Sequence, residues 1–370
     1  MSHHFLPKQQ IDDLIAAVRA DGYRVLGPTV HDGGVLFDEI ESAADLPVGL
    51  RDEQEAGRYR LTPGSDGEVF GVVNGAGSLK PLFFAPEERL LALRRERRGF
   101  SVEPLQPPAT KLAVLGVRAC DLAALAVQDR IFLHDRFRDT HYAARRADTL
   151  LIAVNCTRAA TTCFCASMAN GPKAARGFDL ALTELAEGFV VETGSAAGAA
   201  LLESIATCLR KAPTALFDEA ERRIDECARS QRRRLDTSDL PRLLYDNLEH
   251  RRWDDVARRC LSCANCTMVC PTCFCHAVVD LTELHGNMTQ RVRRWDSCFS
   301  AEHAQIHGRN FRPTVRDRYR QWLTHKLASW IDQFGSSGCT GCGRCIAWCP
   351  VGIDLTEEVA AIRGRAEVAP

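Results

Sequence analysis

The sequence predicts a chain in two parts: an α+β or α/β N-terminal domain with a partly parallel sheet, and an all-α C-terminal domain built around two cysteine-rich centres. Three features predict this. Short apolar runs at 112–117 and 150–154 alternate with helical stretches, as parallel strands covered by helices do. Two runs of four closely spaced cysteines lie at 260–270 and 339–349. Before the second run, Val315, Tyr319, Trp322, Leu323, Leu327, Trp330, Ile331 and Phe334 recur at the period of an amphipathic helix. The expected division is residues 1–195 as the α/β domain, 196–240 as a helical connector, and 241–370 as the cysteine-rich helical domain.

In order along the chain, a helix is expected over about 8–20. Strands follow in "YRVLG" and "GVLFDEI", joined by a turn at "HDGG". A further strand pair is expected around "GRYRL" and "EVFGVVNG", then a helix over 86–98. Residues 112–117 read as a buried strand leading into a helix from Asp121, and 150–154 as a second buried strand. "FDLALTELAEGFVVETG" reads as a hairpin turning near Glu187 and Gly188. Residues 196–236 are helical and charged. A helix from Pro241 to about Arg259 leads into the first cysteine run. Thr314 with Asp317 forms a capping box with Asp in place of Glu, and Gly335 sits where a helix C′ glycine belongs.

Composition narrows the function classes. At 370 residues there is room for two or three domains, and 45% apolar with 26% charged residues is ordinary for a soluble globular protein. A formal net charge of −1 gives no global field for nucleic acid or an anionic membrane. No basic segment followed by an apolar one opens the chain, and no stretch nears the ~20 apolar residues of a membrane helix. A cytoplasmic location is expected. Seventeen cysteines is an odd number, and a long cytoplasmic chain is the wrong setting for a disulfide framework, so metal binding is the expectation.

The stretch "CLSCANCTMVCPTCFC" puts six cysteines into sixteen residues. Cys260, Cys263, Cys266 and Cys270 precede Pro271; Cys339, Cys342, Cys345 and Cys349 precede Pro350. Both runs read C-x2-C-x2-C-x3-C-P, the bacterial ferredoxin pattern for [4Fe–4S] ligation, in which the fourth cysteine serves the other cluster. One cluster is then expected on Cys260, Cys263, Cys266 and Cys349, and the other on Cys339, Cys342, Cys345 and Cys270. Structural zinc also favours C-x2-C pairs, but it needs two pairs and a spacer rather than four ligands closed by proline. Cys270 and Cys339 stand 69 positions apart, too far for a compact ferredoxin, and the intervening helix makes this part resemble the α-helical ferredoxin domain of multisubunit redox enzymes.

Cys120 and Cys156 each lie just beyond a predicted buried strand, where sites form in open α/β sheets. Cys163 and Cys165 follow in "NCTRAATTCFC". Four thiols then either converge on a third cluster or include buried cysteines that simply pack. Cys273, Cys275 and Cys298 are unassigned; the repeated "CFC" leaves open that Cys163–Cys165 and Cys273–Cys275 share a centre. Cys208 and Cys227 read as spare. No dinucleotide fingerprint, Walker loop or Ser/His/Asp set is present, so no flavin or NAD(P) site, and no catalytic residue, is expected in this chain. His303 and His307 read as a surface pair four apart. From Arg291 to Lys326 nine cations face three acids, which either form a nucleic-acid stripe or offset cluster charge.

"GVRACDLAAL", "VNCTRAATTCFCASMANGP", "CPTCFC", "RRWDSC", "HGRNFR" and "CTGCGRCIAWCPVGIDL" together resemble the β subunit of soluble [NiFe] sulfhydrogenases and the related A subunit of anaerobic sulfite reductase. The likeness runs from about "SLKPLFF" to "VGIDL". Ala119 stands where proline is expected, and Ala169–Asn170 where Gly–Thr is usual; neither removes a ligand. The resemblance implies an iron–sulfur relay between a flavin subunit that handles NAD(P)H and either the [NiFe] hydrogenase subunits or a sirohaem sulfite reductase. A cluster-bearing sensor or nucleic-acid-binding protein is the reading from a different class.

Overall fold

The computed structural model describes residues 4–65, 67–108 and 110–364. Its largest sheet has eight strands, in the spatial order Arg210–Lys211, His4–Pro7, Gly188–Thr193, Leu180–Glu184, Thr149–Val154, Leu112–Val117, Arg24–His31 and Gly34–Glu39. The pairings among Arg24–His31, Leu112–Val117, Thr149–Val154 and Leu180–Glu184 are parallel, and those at both flanks are antiparallel. Successive side chains point to opposite faces, so each buried strand feeds two cores. Leu115, Ile152 and Leu182 meet Leu14, Ile15 and Val18 of the helix Ile11–Ala20 on one face. Val114, Leu151 and Ala181 meet Leu122, Leu125 and Phe132 of the helix Ala119–Phe132 on the other. The partly parallel α/β organisation is as the apolar runs predicted.

Three expectations for the front half are corrected. Residues 68–75 form no strand; "GRYRL" lies in Arg58–Pro63, which pairs with Leu50–Glu55. The 68–75 segment satisfies its backbone through side chains instead of a ladder. Glu184 accepts from the amides of Val69 and Phe70 at 2.8 Å each, and Arg118 donates to the carbonyls of Phe70, Val72 and Val73. Residues 87–96 are a strand, not a helix. Their Glu, Leu, Ala and Arg content favours helix, but pairing with Met288–Trp295 overrides propensity. Residues 196–236 do more than connect: Leu201 and Leu202 enter the core, and Arg210–Lys211 extends the large sheet.

The C-terminal part is not all-α. The hairpin His276–Thr282 and Met288–Trp295 joins Glu87–Glu96 and Gly99–Pro104 in a four-stranded antiparallel sheet, and Gln305–Ile306 pairs with Arg309–Asn310. The hairpin is anchored by buried Arg293, whose guanidinium binds Glu88 at 2.6 Å and also Asp139. The helix expected over 241–259 breaks into Leu240–Asp246 and Arg252–Arg259, with Trp253 Nε1 donating to Asn247 O between them. From Val315 to Phe334 the chain is continuously helical, with a π-helical segment at His325–Ser329. The Thr314–Asp317 capping box is present, and Gly335 ends the helix at φ 68°. Trp253, Tyr319, Trp322 and Leu327 form the second core, against which the cysteine loops pack.

Candidate metal centres

The two cysteine runs fold alike. In the first, Ser262 and Ala264 hold left-handed φ of 53° and 65°; in the second, the equivalent Gly341 and Gly343 hold 73° and 77°. These turns coil the loop so that amides reach sulfur: Ser262 N lies 3.4 Å from Cys260 Sγ, and Ile353 N lies 3.3 Å from Cys349 Sγ. Only the second run uses glycine, and packing explains why. A Cβ on Gly341 would sit 2.7 Å from Cys165 Cα, and one on Gly343 would sit 2.4 Å from Thr162 O.

Cys260, Cys263 and Cys266 line a cavity together with Cys349, brought from the far end of the chain, and Cys345 reaches its wall. The space is about 470 Å³, part of it open to solvent, and its other walls include Phe299, Tyr319, Trp322 and Leu355. No carboxylate lines it. Tyr319 Oη and Trp322 Nε1 are buried there without a hydrogen-bond partner, so two donors stand beside a pocket of thiols. The all-sulfur donors, apolar walls and spare donors fit an iron–sulfur cluster. Cys263 is exposed, so this centre borders the surface.

Cys270 lies instead with the second run. Thr272 Oγ1, 3.1 Å from Cys270 Sγ, donates to Gly338 O beside the second run at 2.7 Å. Lys326, in the π-helical segment, donates through Nζ to Cys270 Sγ at 3.2 Å and is itself buried. Burial disfavours its charge, but the Cys270, Cys273 and Cys339 thiols outweigh that and hold its pKa well up. Arg344 makes a buried two-point pair with Asp121, at 2.7 and 2.9 Å, fastening the second run to the front half. Among the described residues no three His, Cys, Asp or Glu side chains close on a point as one bound ion needs; the thiols stand around spaces.

The remaining cysteines form two further groups. Cys156 and Cys163 pack together with Cys227, which the sequence left as spare because an isolated cysteine in a helix carries no spacing signal. Cys120 packs against Cys165 and Cys342. Cys275 and Cys298 meet at the mouth of the 276–295 hairpin, where Asp296 N donates to Cys275 O at 2.9 Å. A hydrogen bond from Cys298, opposed by burial and helped by His303, holds the Cys275 thiol down to about 4. His303 is no helical partner of His307: its Nδ1 binds Asp296 at 2.6 Å, and His307 sits in the small hairpin turn. Cys273 lies beside Cys270, so the two CFC triplets fall into separate groups. Cys208 is half-buried, against Thr207.

The cation stripe disperses likewise. Arg291 is paired with Asp280, Arg293 with Glu88, and Arg316 and Arg320 with Glu249, so only part of it faces the thiols. No described helix is long and apolar enough to cross a membrane.

Residues 259–353 match the family model of a 4Fe-4S dicluster domain. The chain is 28% identical over 344 residues to the sulfhydrogenase 2 subunit beta of Pyrococcus furiosus, covering 92% of each chain. No solved structure matches it. The chain is thus similar over most of its length to a sulfhydrogenase beta subunit, and its C-terminal part matches a 4Fe-4S dicluster domain.

Proposed function

We propose that this chain is an iron–sulfur electron-transfer subunit that links an NAD(P)H-oxidising or -reducing flavin subunit to a [NiFe] hydrogenase module. One observation carries the proposal: Cys349 of the second cysteine run lines the same cavity as Cys260, Cys263 and Cys266 of the first, and the reading extends the same crossing to Cys270 with Cys339, Cys342 and Cys345. On this basis the first set holds one [4Fe–4S] cluster and the second set another. When bound, such a cluster takes up and returns one electron at a time.

The chain's own residues define what each position is suited to. Exposed Cys263 and Leu261 bring the first set to the surface, where a partner can approach. Buried Cys342 and half-buried Cys345 keep most of the second set out of water, and buried Lys326 and Arg344 close by offset the negative charge of thiolate ligands. The chain offers no nucleotide fingerprint, so two-electron chemistry on NAD(P)H belongs to a partner.

Anaerobic affinity purification of the chain from its native host, with every co-purifying polypeptide identified by mass, tests the proposal. A flavin subunit together with the two hydrogenase subunits is the expected result. A flavin subunit with a sirohaem protein instead would move the relay into sulfite reduction. Recovery of the chain alone, with its iron intact, would overturn the relay.

A further inference from the structure

We propose that the N-terminal half holds a third iron–sulfur centre, ligated by Cys156, Cys163, Cys165 and Cys227. The proposal extends the dicluster reading above and relies on it for the neighbouring centre only.

The four thiols come from three places in the fold. Cys156 follows the strand Thr149–Val154, Cys163 and Cys165 lie in the loop beyond it, and Cys227 is on the last turn of the helix Thr214–Ser230. Cys156, Cys163 and Cys227 pack directly together with Val73 and Ala160, and all four thiols are buried. Cys165 lies two residues beyond Cys163 in the same loop and is tied to the helix that carries Cys227. Gln231, one turn beyond Cys227, straps the loop to the helix: its Nε2 donates to Cys165 Sγ at 3.1 Å, and its Oε1 accepts from Ala166 N at 3.0 Å. Such N–H···S bonds are the second layer that orients and tunes sulfur ligands.

A buried cation adds to the case. Arg118 is buried beside these thiols, and its hydrogen bonds go to four backbone carbonyls, those of Phe70, Val72, Val73 and Val154. Among the described residues no carboxylate lies within ion-pair distance of it. A buried guanidinium beside these thiols favours their ionised, metal-binding form. Arg158 already has a carboxylate partner in Asp52. A thiolate-ligated cluster is net negative, and the buried Arg118 would offset that charge.

Cys120 occupies a different place. It packs against Cys165 and Cys342, between the proposed centre and the second cysteine run. Phe164 N donates to Gly341 O at 2.9 Å, so the Cys163–Cys165 loop rests on the loop of Cys339–Cys345. The third centre and the second thiol set are therefore immediate neighbours.

The test uses the full chain, reconstituted anaerobically with ferrous iron and sulfide. Iron, zinc and acid-labile sulfide are counted, and reduced samples are examined by low-temperature electron paramagnetic resonance. Wild type is expected to hold ~12 irons per chain, the content of three [4Fe–4S] clusters. Cys227→Ala should lose ~4 of them and one signal while the two others persist, and Cys120→Ala should keep all three. Should Cys227→Ala fail to fold, the near-isosteric Cys227→Ser decides by an altered third signal. Wild type at ~8 irons with two signals would overturn the third centre and leave the dicluster reading standing; no cluster signals at all would remove both. Full iron and an unchanged spectrum in both Cys227 variants, or zinc in place of iron, would also overturn it.

Discussion

Among single residues, Lys326 shows most directly how a side chain sets the chemistry of a thiol. Its ammonium donates to Cys270 Sγ and to Thr272 Oγ1, 3.0 Å away, and no water reaches it. A cation at hydrogen-bond distance stabilises the more negative, reduced form of a sulfur-ligated centre and raises its potential. Lys326→Gln keeps the length but drops the charge. The expected result is a potential lower by on the order of 40 mV, the equivalent of ~1 kcal/mol of lost stabilisation, at unchanged iron content. A redox titration followed by electron paramagnetic resonance would read it; an unmoved potential would mean that the ammonium does not act on this centre. In the sequence Lys326 is one of nine cations with nothing to distinguish it. Its role comes from the π-helical segment, which no residue pattern announces, and the loss of Arg293 to Glu88 was equally hidden.

At the level of elements, the two cysteine loops share one backbone path under different constraints. Gly341→Ala forces a Cβ against Cys165 at a left-handed φ, and relief would need backbone movement in both loops. It should destabilise the chain by about 1–3 kcal/mol. Ala264→Gly, at the left-handed position of the first loop, removes strain and should be neutral or stabilising by up to about 1 kcal/mol. Thermal unfolding followed by helical circular dichroism distinguishes them; equal shifts would mean the loops are not packed as described. The loops were legible because ligand spacing is strictly local, as were the amphipathic helix and its capping box. The strand at 87–96 was not, since its partner Met288–Trp295 is remote in sequence and "EERLLALRRE" alone favours helix. Cys227 failed for the same reason: what makes it a candidate ligand is which loop the helix lands on.

At the scale of the whole molecule, Glu88 is the hub where separate parts of the chain meet. Buried on Glu87–Glu96, it binds His141 at 2.8 Å and Arg145 on the helix Thr140–Ala147, and Arg293 on the distant hairpin. Burial alone would raise its carboxyl, but Arg145, His141 and Arg293 together hold it below the usual range. A lowered carboxylate contributes its stability in full above its unfolded value, about 4.3, and loses it as the pH falls through the folded value. Glu88→Gln leaves Arg145 and Arg293 facing a neutral group and should cost about 3 kcal/mol at pH 7. The gap to wild type in urea unfolding should stay constant from pH 7 to about 5 and narrow below about pH 4.3. A gap that does not narrow on acidification would remove Glu88 from this role.

The antiparallel sheet also sets a timetable for making the protein. Glu87–Glu96 and Gly99–Pro104 leave the ribosome roughly 200 residues before the hairpin that completes their sheet, and in the interval their open edge is a template for association with other chains. Cys260, Cys263 and Cys266 likewise wait for Cys349 before their pocket has its fourth wall. The sheet can close only after Trp295 has emerged, and the pocket only after Cys349, so a product truncated before residue 288 would be left with an unpaired sheet edge and exposed thiols.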